Sequence, residues 1–137
     1  MTIRPVLWKK VANMMERAIP LLKQALSLYP KGNEFIFDNL GLAYLALGSN
    51  DAAIEWLLKA VDLNTEILDV YSGLAMAYSN KGDRQSASRY VAEYQKRAPS
   101  QGFKGIESNA PSPDSPPVFL KYYYDRFLPE WKKAGLP

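Results

Sequence analysis

From residue 34 onward, apolar positions recur with the period of a helix. Ile36, Phe37, Leu40, Ala43, Tyr44 and Leu47 follow the i, i+3, i+4, i+7 spacing, which predicts an amphipathic helix over 34–47. Gly48 can take the left-handed conformation that ends a helix. Ser49, Asn50 and Asp51 then offer side-chain oxygens to cap the next one. That second helix is expected over 51–63, with Ala53, Trp56, Leu57, Ala60 and Leu63 on its buried side. Residues 67–80 and 84–97 repeat the plan, with Lys81, Gly82 and Asp83 as the turn.

Sliding the chain against itself shows that the repetition is one of residue type as well as of period. At an offset of 34 residues, Phe37 falls on Tyr71, Leu40 on Leu74, Gly41 on Ala75, Ala43 on Ala77 and Tyr44 on Tyr78. Gly48 then falls on Gly82, Ala53 on Ala87 and Leu57 on Val91, and Pro99 closes the second copy. An earlier half-copy lies at offset 35, where Ala18, Ile19, Leu22, Ala25 and Leu28 align with Ala53, Ile54, Leu57, Ala60 and Leu63. A single helix pair cannot bury both of its faces, so stacked copies must share a core. The small residues Gly41, Ala53 and Ala60 mark places where helices approach closely, with Tyr44 and Leu57 filling the space around them.

These positions resemble the tetratricopeptide repeat, whose 34 residues place an aromatic, Leu-Gly, Tyr, Ala, a further large apolar residue, Ala and Pro at set intervals. Phe37, Leu40, Gly41, Tyr44, Ala53, Leu57 and Ala60 match one unit; Tyr71, Leu74, Ala75, Tyr78, Ala87, Val91 and Pro99 match the other. The resemblance covers roughly residues 14–99 and implies an all-α solenoid of helical hairpins, about 2.5 repeats long, within residues 1–99. Tyr94 departs from the pattern, standing where the family has a small Ala; it would crowd a regular next repeat, so the solenoid is expected to stop there. The half-copy lacks a proper first helix. Two arrangements fit: one longer helix over 5–29 bent near Pro20, or a chain that begins inside a once longer array.

Beyond Pro99 the composition changes. Residues 100–117 carry Pro111, Pro113, Pro116 and Pro117 among Ser, Gly and Asn, and read as a linker. In 118–137, Phe119, Tyr123, Phe127 and Trp131 recur every four residues, so a C-terminal aromatic helix would set them along one stripe. Pro129 should end or kink this helix or begin a short second one, and Gly135 should stop it. Burying a large side chain contributes roughly 1.5–3 kcal/mol, whereas fixing each backbone residue costs about 1–2 kcal/mol. The aromatics alone therefore do not order this segment, and a docking surface is needed. The flank of the last repeat helix, or the groove, is the expected surface, in preference to a membrane interface. The segment also resembles the C-terminal ends of bacterial nucleotide cyclases and related signalling proteins with tetratricopeptide regions. Arg126-Phe127-Leu128 and Lys133-Ala134-Gly135-Leu136-Pro137 carry this likeness, from which Pro129 departs. It implies a regulatory C-terminal portion of a larger protein.

Tetratricopeptide arrays line a concave groove with the first helix of each pair. Carried onto this chain, the resemblance implies groove positions Phe35, Asp38, Leu42 and Leu45 in one unit and Asp69, Ser72, Met76 and Ser79 in the next, flanked by Asn80. None of these is Lys or Arg, which argues against a clamp for a terminal carboxylate. A segment of another protein with apolar anchors and a basic residue suits the surface better. The paired carboxylates Asp38 and Asp69 read as capping or solvated acids.

Composition narrows the remaining classes. Of 137 residues, none is Cys or His, so disulfides, thiolate metal sites and the commonest general base are absent. The expectation is a protein that is no enzyme and uses no cofactor or metal. A net charge of +3 with scattered basic residues gives no phosphate-tracking stripe, so nucleic acid is not an expected partner. No apolar run approaches the roughly 20 residues that cross a bilayer and no secretory signal opens the chain; a cytoplasmic location is expected. The function expected is a scaffold that binds a peptide or helix in its groove. Self-association, with one copy's tail docked on another as a homodimer, is the alternative.

Overall fold

The computed structural model describes residues 5–31, 33–102, 105–106 and 110–137, the side chains of 5–11 excepted. Residues 1–4 of the expected repeat region and residues 103–104 and 107–109 of the expected linker lie outside the described residues, as does residue 32. The described chain is all-α, with no strand: α1 (Pro5–Leu28), α2 (Glu34–Ala46), α3 (Asn50–Leu63), α4 (Leu68–Asn80), α5 (Arg84–Arg97), α6 (Pro117–Tyr122) and α7 (Leu128–Lys133). A 3₁₀ turn, Pro99–Gln101, follows α5, and a π-helical turn, Tyr123–Phe127, joins α6 to α7. Each of α1 to α4 packs on the next helix in the chain, and α2 also touches α4, so the first helices of the two hairpins lie side by side. α6 rests on α1 and α7 on α4.

The two hairpin turns are built alike because Gly48 and Gly82 stand at equivalent positions. Both take positive φ, 79° and 82°. At the first turn the Ser49 N–H donates to the Tyr44 carbonyl and the Gly48 N–H to the Leu45 carbonyl; at the second, Asp83 donates to Tyr78 and Gly82 to Ser79. These are the paired 6→1 and 5→2 bonds of a Schellman ending, which satisfy carbonyls the helix leaves free. Asp83 caps α5 by accepting from the Ser86 N–H at 3.1 Å. Ser49 occupies the same position before α3 but makes no side-chain capping bond, so the cap expected there from the sequence is not formed.

Leu57 explains why small residues sit where they do. It is fully buried at the centre of the larger core cluster. A Cβ on Gly41 would collide with the Leu57 side chain, and one on Gly73 would lie 2.9 Å from Leu57 Cδ1 and 3.2 Å from Leu42 Cδ2. The two glycines therefore form the notch that α3 presses its leucine into. Gly41 was legible from the repeat register; Gly73 was not, because it falls outside the repeated positions. A second, smaller cluster of Ile19, Ile36, Leu40 and Ala43 holds α1 against α2. A single helix, Pro5–Leu28, spans the half-copy, with Pro20 inside it.

The tail departs from one continuous helix for a reason rooted in Pro129. In an α-helix the proline ring would clash with the Asp125 carbonyl and leave it without its donor. The π turn widens the backbone before the proline, and the Leu128 N–H reaches back five residues to the Tyr123 carbonyl. Pro129 then sits in the first turn of α7, where a missing N–H costs little. Pro117 likewise starts α6.

Candidate functional site

The concave side of α2 and α4 is the natural place to look for a site, and its centre is a partly open pocket. α1 borders one edge and the tail the other, leaving a space of about 820 Å³. From the repeat helices, Leu42, Leu45, Asp69, Ser72 and Met76 line it; from the tail, Phe119, Tyr123, Phe127 and Trp131 do. The structure thus brings five of the groove positions and all four stripe aromatics around one chamber. Phe35, Asp38, Ser79 and Asn80 are outside its wall.

The reasons for those four differ. Phe35 sits in the first turn of α2, 55% exposed, beside a separate surface hollow with Leu28 and Tyr29. It does not share a surface with Leu42 and Met76 as the sequence reading expected, because the first turn of α2 lies beside the α1–α2 connection. Ser79 is buried. Asn80 is half-buried, and its amide donates to Asn50 Oδ1 at 3.2 Å and to Glu130 Oε1 at 3.5 Å. It holds the tail.

Asp38 is 4% exposed, and its Oδ1 has no hydrogen-bond partner among the described residues. It is therefore not the solvated or capping acid the sequence suggested. Burial, together with the neighbouring negative charge of Asp69, pushes its carboxyl up to about 7. Asp69, across on α4, keeps a solvent-exposed flank, while partial desolvation raises its carboxyl too. No Lys or Arg pairs with either acid among the described residues.

Tyr94, the departure from the repeat pattern, is where the tail lands. It is 2% exposed, and its ring meets Trp131 edge to face with centroids 5.4 Å apart. Burial, and secondarily Asp69, raise its hydroxyl. From Trp131 an aromatic ladder runs back along the tail through Phe127 (5.9 Å), Tyr123 (5.5 Å) and Phe119 (6.5 Å). On a regular α-helix, a spacing of four residues drifts about 40° per step. The π turn advances less per residue and takes part of that drift back, which keeps the ladder on one side.

The tail is fastened at both ends of α7. Glu130 accepts from Asn80 and pairs with Arg126 at 3.4 Å, and Arg126 lies over Gly48 at the α2–α3 turn. Beyond α7, the Trp131 indole N–H donates to the Pro137 carbonyl at 3.0 Å, and the Ile106 N–H donates to the same carbonyl at 3.2 Å. Ile106 is buried and joins the main core, so the segment expected to be linker contributes an anchor. Nothing in its surrounding composition signalled this. The α1 face of the chamber, Met15, Ala18, Leu21 and Leu22, was also missed as a lining surface, although the half-copy had placed α1 beside α2.

The family model for the tetratricopeptide repeat matches residues 36–66, from α2 through α3 to the following turn. The chain carries a tetratricopeptide repeat. Together with the equivalent hairpin α4–α5, whose turn has the same bonds, this accounts for the all-α hairpin architecture. Tetratricopeptide repeats are generally non-catalytic scaffolds for protein–protein interaction. A search of curated protein sequences gives no match to this chain. Among the described residues, no helix is long and apolar enough to cross a membrane.

Proposed function

We propose that this protein is a non-catalytic interaction module that receives a segment of another protein along the concave side of α2 and α4. The observation that carries this reading is the pocket at the centre of that side, where half-buried Leu42 offers apolar contact over buried Leu45 and Met76, and Asp69 is the one charged residue among the described residues of the wall. A partner segment with one or two large apolar side chains and a nearby lysine or arginine matches that arrangement. A chain-terminal carboxylate does not.

The test is selection from a displayed random-peptide library against the full chain, with Leu42→Glu and Asp69→Lys run in parallel. Leu42 is half-buried and on the chamber wall. The expected result is enrichment of peptides pairing large apolar residues with a basic one, lost in both variants. Peptides that bind both variants as well as the parent, or an enriched set free of basic residues, would overturn the reading.

A further inference from the structure

The same chamber has a second property, independent of any protein partner. Six of its described lining residues are aromatic: Phe119, Tyr122 and Phe127 keep exposed surface, and Tyr94, Tyr123 and Trp131 are buried. Most of the remaining wall is aliphatic, with Asn39 and Ser72 as neutral polar groups and Asp69 as the sole charge among the described residues. A space of about 820 Å³ falls within the range of sites that enclose a small organic molecule. Water filling it would stand against a mainly apolar wall with few groups to hold it.

We propose that the chamber is a binding site for a small organic ammonium: one positively charged, alkylated nitrogen on an apolar body, taken up beneath the C-terminal tail. Aromatic rings attract a cation through the negative faces of their π-systems, and more strongly when the site is shielded from water. Asp69 supplies the counter-charge at the wall. The buried carboxyl of Asp38 beside it holds its proton up to about 7, so the counter-charge is that of Asp69. Among the described residues, no cationic side chain in the wall competes for that position. An anionic ligand would meet Asp69 without compensation, and a neutral one would gain the apolar contact but nothing from the acid. Because four of the six rings belong to the stripe of the tail, the ligand would rest against the same segment that borders the chamber.

The experiment is calorimetric titration of the full chain with three probes of one shape: phenylbutyltrimethylammonium, phenylbutanol and phenylbutyrate. The expected order is ammonium first, tighter than the alcohol by about tenfold or more, with the carboxylate weakest. Asp69→Asn should remove the ammonium's advantage and leave the alcohol's affinity unchanged, which also shows that the variant's chamber is intact. Asp69→Glu should preserve the preference. In parallel, the NMR signals of the Met76 methyl and the Trp131 indole N–H should move on addition of the ammonium. Equal affinity for ammonium and alcohol, a preference that survives Asp69→Asn, binding that leaves both NMR signals in place, or no binding by any probe would each overturn the proposal. The result does not depend on whether a peptide partner is found.

Discussion

Replacing Asp38 by Asn removes the one buried ionisable group among the described residues that has an oxygen without a partner, and its effect on stability should depend on pH in a defined sense. In the unfolded chain an Asp carboxyl loses its proton near 3.8; in the folded protein Asp38 keeps it up to about 7. The folded state therefore binds the extra proton between these values, and stability falls as pH rises through that window. Below it both states are protonated and nothing is lost; above it the cost is complete. A rise of about three units at 1.36 kcal/mol per unit gives a cost of about 4 kcal/mol at alkaline pH. Of this, about 2–3 kcal/mol develops between pH 5 and pH 8. Asn introduces an amide that lacks acceptors, which costs about 1–3 kcal/mol, but equally at every pH. Urea unfolding of both proteins at several pH values from 5 to 8 separates the two effects. The stability of Asp38→Asn relative to the parent should climb by about 2–3 kcal/mol across that range. A difference that stays constant with pH would show that Asp38 is ionised in the fold at pH 5, and the account of its burial would be wrong.

Other consequences follow from the packing. Trp131→Ala should destabilise the protein by about 3–5 kcal/mol, read by denaturant unfolding, because it removes a 4% exposed ring from Tyr94 and the bond to Pro137. Gly41→Ala should cost about 1–3 kcal/mol by pushing Leu57 out of its notch, whereas Asp83→Ala should cost about 1 kcal/mol through loss of the α5 cap; thermal or urea unfolding ranks the pair. Amide hydrogen exchange over residues 117–134 should be slow at both low and high protein concentration, since the tail lies on its own chain's α1 and α4. Protection that appears only at high concentration would point to exchange of tails between copies.

The periodicity of apolar residues and the recurrence at 34 residues determined most of the architecture before any coordinates. Helix pairs, turn glycines and the small residues at close contacts are local or nearest-neighbour features, and each leaves its mark within a few residues of sequence. The aromatic stripe and Tyr94 were legible as residues out of keeping with a continuing solenoid. What they do with one another was not, because Tyr94 and Trp131 are brought together only by the docking of α7 on α4. The same holds for Asp38. A carboxylate at position 38 reads like any other, and only the packing of α2 against α4 removes its water and leaves an oxygen unpaired. Ile106 and the α1 face of the chamber are further cases. Their contacts are long-range, their local composition is unremarkable, and the space they border exists only once α1, the repeats and the tail are assembled.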